Sequence, residues 1–395
     1  MFSSRHLSNF YALFAGRALL TLPSHVVTLF LPIFIFELAN DTVQAPLAFY
    51  LVGHVLYAVF LPLGAQYLNR RGYKRSMRHA TVWNTVHYLS LLALSGGILT
   101  GNAVWLGVAS SVLALSLFRL MFWLPYHVEV AAFTKKRNRG RSISLILSMI
   151  TVAGVLGPVL GGVLIDTVGY NVAFGLVALL SLLAMIPFAM LPPQNETFSW
   201  GYTETWRMLV APKYRSLTLA MFANGAENAV GIVVWPIFIY LLLDGNYLAV
   251  GAVSSVIVAA TIALQMLAGA RIDAARNRGD MLHVGSVLSA MGWIAKIFVV
   301  SAFHIFVAGV YHSFARIFTN TPVDTMYYDV AADSGHYIDE LTVVRELAIQ
   351  LGKAATLACA ILMSFVLAIQ WIFLIAALAA LLLNSLYSQH AVHRA

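Results

Sequence analysis

Arg17-Ala-Leu-Leu-Thr-Leu-Pro23-Ser-His25 decides how this chain is read, because its pattern occurs three times. An arginine, five residues, a proline, one residue and then a histidine or aspartate recur in Arg119-Leu-Met-Phe-Trp-Leu-Pro125-Tyr-His127 and in Arg316-Ile-Phe-Thr-Asn-Thr-Pro322-Val-Asp324. Three copies of so particular a spacing point to an internal repeat rather than to chance. Each copy lies inside a long apolar run, where an arginine is expensive. At the centre of a membrane helix it costs about 2.5–3.5 kcal/mol, so such residues face a bundle interior or a water-filled path. The chain reads as a membrane protein whose polar interior is built from repeated units.

The surroundings agree. Of 395 residues 60% are hydrophobic and only 10% charged, against about 25% charged in a soluble domain. A spanning helix needs roughly 20 apolar residues, and twelve segments qualify: 9–38, 46–68, 79–99, 103–133, 142–165, 170–191, 214–243, 247–272, 281–301, 305–330, 337–368 and 371–387. The runs are long and continuous, which fits helices and not the short alternating strands of a barrel. The expected class is all-α, a polytopic bundle of twelve transmembrane helices.

The net charge of +8 is explained by membrane orientation. Arg17, Arg119, Lys296, Arg316, Arg345 and Lys353 lie within predicted spans, and the rest of the 24 Lys and Arg fall on one side of the membrane. The opposite connections carry Asp41, Asp166 and Asp244. The positive-inside bias then puts both termini in the cytoplasm, and no nucleic-acid partner is needed to account for the basic residues. The expected place is a bacterial cytoplasmic (inner) membrane, with the lipid bilayer as partner and a monomer as the working state. The single cysteine, Cys359, offers neither a disulfide nor a metal cluster and reads as a small buried hydrophobe. No metal or other cofactor is expected, and no phosphate-binding Gly-x4-Gly-Lys-Ser/Thr loop is present.

The longest polar break, 192–213, separates six predicted spans from six and is read as a cytoplasmic linker between halves 1–191 and 214–395. A second duplication supports the division: Leu31-Pro-Ile-Phe-Ile-Phe36 in span 1 returns as Trp235-Pro-Ile-Phe-Ile-Tyr240 in span 7, offset by 204 positions. Spans 1, 4 and 10 share the arginine-proline pattern although span 1 crosses in the opposite sense to the other two. Three-helix units of inverted topology, nested inside parallel halves, give this arrangement. Span 7 is the missing fourth copy and carries Asn224, Glu227 and Asn228 instead.

Over its whole length the chain resembles the major facilitator superfamily. Gly64-Ala-Gln-Tyr-Leu-Asn69-Arg70-Arg71-Gly72-Tyr-Lys74-Arg75 is similar to the family's cytoplasmic gate loop, with Asn69 where an aspartate is usual and one extra residue after Gly64. Gly269-Ala-Arg-Ile-Asp273 is its counterpart in the second half. Arg119 stands where the drug-efflux branch has its span 4 arginine, although Phe122-Trp123 replaces the glutamine-glycine pair that follows there. Gly154-Val-Leu-Gly157-Pro158-Val-Leu-Gly161-Gly162 in span 5 resembles that branch's antiporter motif, with Ala153 in place of a glycine; small residues at this spacing also serve plain helix packing. The resemblance implies that spans 1, 4, 7 and 10 line a central cavity and that Asn69, Arg70 and Asp273 belong to a gate.

The residues themselves suggest roles. Arginine offers a planar, permanently charged fork suited to carboxylate or phosphate, so Arg17, Arg119 and Arg316 are candidate substrate contacts. The alternative is that each pairs internally, with Glu227 or Asp324. Asn224, Asn228, Trp123 and Tyr126 complete the candidate pocket, although aromatic residues also serve packing and interfacial belts. Glu227, midway along span 7, is the leading proton site and Asp324 the second; His25 and His127 suit a proton relay and equally suit hydrogen-bonded packing. Glu129, Asp329, Arg345 and Glu346, nearer the cytoplasmic ends, read as ion pairs of an inner gate. Lys296 and Lys353 stay ambiguous. Three arginines against two carboxylates favour a small anionic or zwitterionic organic substrate, moved by a proton or other ion gradient, with export favoured over uptake. A proton-coupled uptake symporter is the rival within transport; a lipid flippase or a non-transporting sensor is the rival outside it. Enzyme chemistry is not expected, since no HExxH or Gly-x-Ser-x-Gly motif occurs.

Overall fold

The computed structural model describes residues 2–133, 139–192, 198–273, 278–323, 327 and 338–385, the side chains of 2–8, 127–133, 139–143, 268–273, 278 and 338–339 excepted. Its elements are helical: α1 (Phe2–Thr28), α2 (Leu31–Leu38), α3 (Gln44–Arg71), α4 (Tyr73–Ser95), α5 (Ala103–Phe133), α6 (Arg139–Leu183), α7 (Met185–Ala189), α8 (Tyr202–Leu209), α9 (Arg215–Ala229), α10 (Trp235–Leu242), α11 (Tyr247–Asp273), α12 (Arg278–Ile297), α13 (Ala302–Ala315), α14 (Ile338–Ser364) and α15 (Phe373–Leu382). The helix of α13 resumes after a turn at Arg316 over residues 317–323. Among the described residues seven helical segments are long and apolar enough to cross a bilayer. α6 is two helices in series, because Gly169 (φ 84°, ψ 169°) breaks the helical path in a conformation that costs glycine little.

What faces outward is apolar, the reverse of a soluble domain. On α6, Leu156, Leu160 and Val163 are exposed while Gly157 and Gly161, on the opposite face, are covered. Spacings of three and four put each set on one side of the helix, so one side meets lipid and the other a neighbouring helix. Cys359 follows the outward pattern: it is exposed, like Leu362 further along α14 and Phe365 and Val366 in the turn just after it. The expectation that it is buried is therefore corrected. An apolar run in a membrane helix is apolar on its lipid face too, so hydrophobicity there does not imply burial.

The chain forms two compact units, 1–31 with 59–201 and 32–58 with 202–395. In the first unit α1 packs on α5, α6 and α7, and α4 on α5 and α6. Its core brings together Leu13, Leu20, Met77, Phe122, Tyr126 and Phe188. A Cβ at Gly157 would meet the backbone of His25, and one at Gly161 would strike the carbonyl of Val26. In the second unit α9 packs on α14 and α15, and α12 on α13 and α15. There a Cβ at Gly225 would strike the carbonyl of Ile349, and one at Gly352 that of Phe222. Each unit thus has a pair of helices whose backbones touch through glycine, the small-residue packing that serves where lipid supplies no hydrophobic drive.

The repeated proline pentapeptide has one structural meaning in both places. Leu31-Pro32 opens α2 and Trp235-Pro236 opens α10, each helix eight residues long. A proline at the start of a helix gives up a donor that would be orphaned anyway. Before it the chain must break: a turn at residues 29–30 precedes α2, and a π-helical turn, Val230–Val234, precedes α10. After each helix comes a pair of residues with positive φ, Asn40 and Asp41 (53° and 58°) and Asp244 and Gly245 (52° and 77°). The turn keeps the offset of 204, so duplication reaches the backbone conformation.

Candidate functional site

The second unit buries a charge cluster. Glu227, midway along the α9–α10 span, is 1% exposed. Its Oε1 accepts hydrogen bonds from Ser289 Oγ (2.7 Å) and Trp293 Nε1 (2.9 Å) of α12, and lies 3.2 Å from His312 Nε2 of α13. Arg316 Nε stands 4.0 Å from the same oxygen, an ion pair without hydrogen-bond contact. On the far side of the imidazole, Lys296 Nζ is 3.1 Å from His312 Nδ1. The ammonium also sits over two indoles, 3.9 Å from the ring centroid of Trp293 and 4.3 Å from that of Trp235. Phe373 of α15 closes this wall against both tryptophans.

Each member sits there for a local reason. Ser289, Trp293 and Lys296 are spaced i, i+4, i+7 and so share one face of α12; His312 and Arg316 are i, i+4 on α13 and its turn. The π turn begins three residues after Glu227 and shifts the phase of the helix before Trp235, at a kind of site where π-bulges are common. An unpaired charge is not tolerated at such burial, and here each charged group meets an opposite charge, an imidazole or a π face. With Lys296 protonated and the imidazole neutral, Lys296 and Arg316 against one carboxylate leave the cluster one positive charge in excess. Beside Glu227, Asn224 and Asn228 are half-buried, and Asn228 Oδ1 and Arg316 Nε are buried without a hydrogen-bond partner.

The first unit handles its charge otherwise. The Arg17 guanidinium is boxed by aromatic rings of α5, with its Cζ 5.3 Å from the centroid of Phe122, 4.7 Å from Trp123 and 4.8 Å from Tyr126. Trp123 and Tyr126, expected to wall a pocket, are thus spent at least in part on Arg17. His25 gives Nδ1 to the Thr21 carbonyl at 2.8 Å and lies against Gly157, which favours the packing alternative. Arg119 is half-buried on α5. Asn69 makes a reciprocal pair with the backbone of Phe198, its Nδ2 donating to the carbonyl (2.6 Å) and its Oδ1 accepting the N–H (2.8 Å). Arg70 is exposed beside it at the end of α3.

Other expected residues are scattered. Arg345 of α14 is half-buried with its Cζ 4.8 Å above the Tyr327 ring. Glu346 accepts weakly from Gln350 Nε2 (3.4 Å), whose Oε1 binds buried His54 of α3 at 2.7 Å. The side chains of His127, Glu129, Asp273, Asp324 and Asp329 lie outside the described residues. Reading the sequence residue by residue missed His312, Ser289 and Trp293, and left Lys296 undecided. It also missed Glu37, whose Oε1 accepts from the hydroxyls of both Tyr240 and Tyr247. The i, i+4, i+7 stripe of Ser289, Trp293 and Lys296 on the otherwise apolar stretch 287–297 of α12 is the signal that was there to be used.

The model of the Major Facilitator Superfamily matches residues 13–338, most of the chain. The chain belongs to that superfamily. It is an integral membrane transporter and not an enzyme. Among curated proteins it is similar to the uncharacterised protein YqgE of Bacillus subtilis (strain 168), 23% identical over 345 residues that cover 84% of this chain and 74% of YqgE. Among solved structures it resembles a POT family transporter in complex with 5-aminolevulinic acid (TM-score 0.72, 10% identity, 95% and 94% of the two chains covered). It also resembles the peptide transporter POT in complex with sulfate (TM-score 0.69, 12% identity, 98% and 94% covered). At that identity the likeness establishes the fold. The asparagine of the segment that resembles the superfamily's gate loop has a local explanation. An asparagine at 69 both donates to and accepts from the Phe198 backbone, whereas an ionised aspartate can only accept.

Proposed function

We propose that this protein is a proton-coupled secondary transporter of a small anionic or zwitterionic organic molecule, working by alternating access. The observation that carries the reading is Glu227, a carboxylate buried among Ser289, Trp293, His312 and Arg316 in the middle of a span. A buried carboxylate surrounded by movable hydrogen bonds and a cation is what a coupling site needs: it can trade its ion pair for a proton when the surroundings rearrange. The excess positive charge in the cluster and the unpartnered Asn228 Oδ1 and Arg316 Nε beside it suit a substrate bearing a carboxylate or phosphate. The ligands named for the two structural neighbours, 5-aminolevulinic acid and sulfate, also bear negative charge.

In this reading the chain crosses the membrane twelve times, in six-helix halves 1–191 and 214–395 joined by 192–213, with both termini cytoplasmic in a bacterial inner membrane. It acts as a monomer. Arg119, Arg316, Asn224 and Asn228 are the substrate contacts in this reading, and Arg17 is held in its aromatic box. Asp324, His25 and His127 are secondary proton sites. Asn69, Arg70, Asp273, Glu129, Asp329, Arg345 and Glu346 form the cytoplasmic gate. Export is the favoured direction, on the likeness of the span 5 glycine motif to that of antiporters; the same glycines also seat α6 on α1, so direction needs its own experiment.

A thermal-shift screen across charged metabolites on the purified chain, repeated with Glu227→Gln and Arg119→Ala, tests the site. The expected result is a ligand that stabilises the wild type and loses most of that effect in both variants. A ligand shift indifferent to both substitutions removes the assignment. With that ligand, everted vesicles decide direction: an antiporter dissipates an imposed pH gradient when substrate is added outside.

A further inference from the structure

The geometry points to Lys296–His312–Glu227 as a proton wire that leads from the outer face of the membrane to the coupling carboxylate. The inference deepens the proposed function and rests on its reading of Glu227 and of orientation. Lys296 is the penultimate residue of α12, next to the connection at 298–301 that this orientation puts outside. His312 bridges it to Glu227, using both ring nitrogens: Nδ1 toward Lys296 at 3.1 Å and Nε2 toward Glu227 Oε1 at 3.2 Å.

The tautomer follows from the partners. An ammonium can only donate, so a neutral His312 accepts at Nδ1 and donates from Nε2 to the carboxylate. That is the arrangement from which a proton can be handed through a ring. Lys296 gives a proton to Nδ1, the Nε2 proton passes to Glu227 Oε1, and the ring is left as the other neutral tautomer. The products are a neutral amine and a neutral carboxylic acid, so charge balances and one buried ion pair is discharged. The amine, 3% exposed in this structure, is refilled when the transport cycle opens it to the outer aqueous side, which supplies the proton. Ser289 Oγ, 3.2 Å from Nε2 and 2.7 Å from Oε1, holds the acceptor in line. Among the described residues the other charged group at the cluster is Arg316. Facing it from elsewhere are aromatic or backbone surfaces: Trp235, Trp293 and Phe373, and Gly352 of α14 behind Ala226. Among the contacts described, Lys296 reaches a carboxylate through His312.

Two substitutions keep the architecture and remove only the transfer. Lys296→Arg preserves the positive charge over the two indoles but does not surrender a proton. His312→Gln preserves one acceptor and one donor but cannot relay. Wild-type and variant proteoliposomes on a solid-supported membrane receive a step from pH 8 to pH 6 on the outer face of the protein, without substrate, and the displaced charge is recorded. The wild type should show a transient charge movement that Glu227→Gln abolishes. Both relay variants should slow its rise at least tenfold while the protein stays folded by size-exclusion profile. If Glu227→Gln abolishes the transient but both relay variants keep the wild-type rise time, the wire is overturned and the coupling role of Glu227 stands. If Glu227→Gln leaves the transient intact, or the wild type shows none, the coupling reading and the wire both fall. Should one relay variant fail to fold, the other decides.

Discussion

Arg17 in the first unit and Glu227 in the second both sit on spans that end in the repeated proline pentapeptide, yet their charges are housed in different ways. Arg17 is surrounded by π faces and has aromatic partners on a single helix, α5. Glu227 is surrounded by donors on two helices, with a cation at 4.0 Å and a second beyond an imidazole. The difference is one of reversibility. A guanidinium over aromatic rings has no proton of its own to exchange, because it stays protonated at any working pH. The carboxylate has alternatives for every interaction it makes. Duplication supplied the frame twice, and among the described residues the buried carboxylate in mid-span belongs to the second copy.

The largest effect should follow from Glu227→Ala. Removing one partner of a buried charge cluster strands Lys296 and Arg316 in low dielectric, a loss on the order of 3–5 kcal/mol. Glu227→Gln retains an acceptor for Ser289 and Trp293, so it should unfold far less easily than the alanine variant and yet lose proton-driven transport. Chemical denaturation in lipid nanodiscs ranks the two; equal destabilisation would mean that the loss of charge, common to both, sets the cost and that the acceptor kept by glutamine adds little.

Next come the glycines, where the two units should behave alike. Gly161→Ala and Gly225→Ala each push a methyl into a facing carbonyl, of Val26 and Ile349 respectively. Overpacking of this kind costs about 1–3 kcal/mol, and both variants should show similar losses in thermal stability. A large loss at one site only would break the symmetry drawn here between α1–α6 and α9–α14.

Arg17→Met sharpens the contrast from the other side. It removes a cation–π cluster worth about 0.5–2 kcal/mol and leaves a flexible apolar side chain among the same rings. Stability should fall within that range while the pH-step charge movement is unchanged. Loss of the charge movement with stability retained would put Arg17 in the coupling machinery, and the contrast would fail.

The smallest effect is expected at Asn69→Asp, which restores the superfamily's usual residue. The ionised side chain cannot donate to the Phe198 carbonyl, so one hydrogen bond of about 1 kcal/mol is lost. The Phe198 N–H keeps an oxygen acceptor in the variant, so chemical denaturation reads the loss: stability falls by about 1 kcal/mol while exchange at the Phe198 amide does not speed up. Stability equal to that of the wild type would remove the reciprocal pair from the account.

Much of the fold is legible in the sequence because membrane helices announce themselves one at a time. α5 begins and ends where the apolar run does, at Ala103 and Phe133, and the break at Gly169 falls in the gap foreseen between segments. The site is legible only in part. Glu227 stands out as a lone carboxylate in mid-span, and Arg316 as a repeated arginine. Lys296 and His312 did not, since each is one of several polar residues on its helix and its meaning depends on neighbours from two other helices. Asn69 shows the same limit: its partner, Phe198, is 129 residues away, and no local pattern encodes that pairing. Cys359 shows the converse, for apolarity in a membrane span does not tell the lipid face from the packed one.

The central claim is that Glu227 changes its protonation state inside the protein. Attenuated-total-reflection infrared spectra of the wild type and of Glu227→Gln, in bilayers titrated from alkaline to acid pH, test it most directly. The account predicts a protonated-carboxyl C=O band that grows in the wild type on acidification, shifts when deuterium replaces hydrogen, and is missing from the variant. The same carboxyl bands in both proteins at every pH, with both folded, would contradict it.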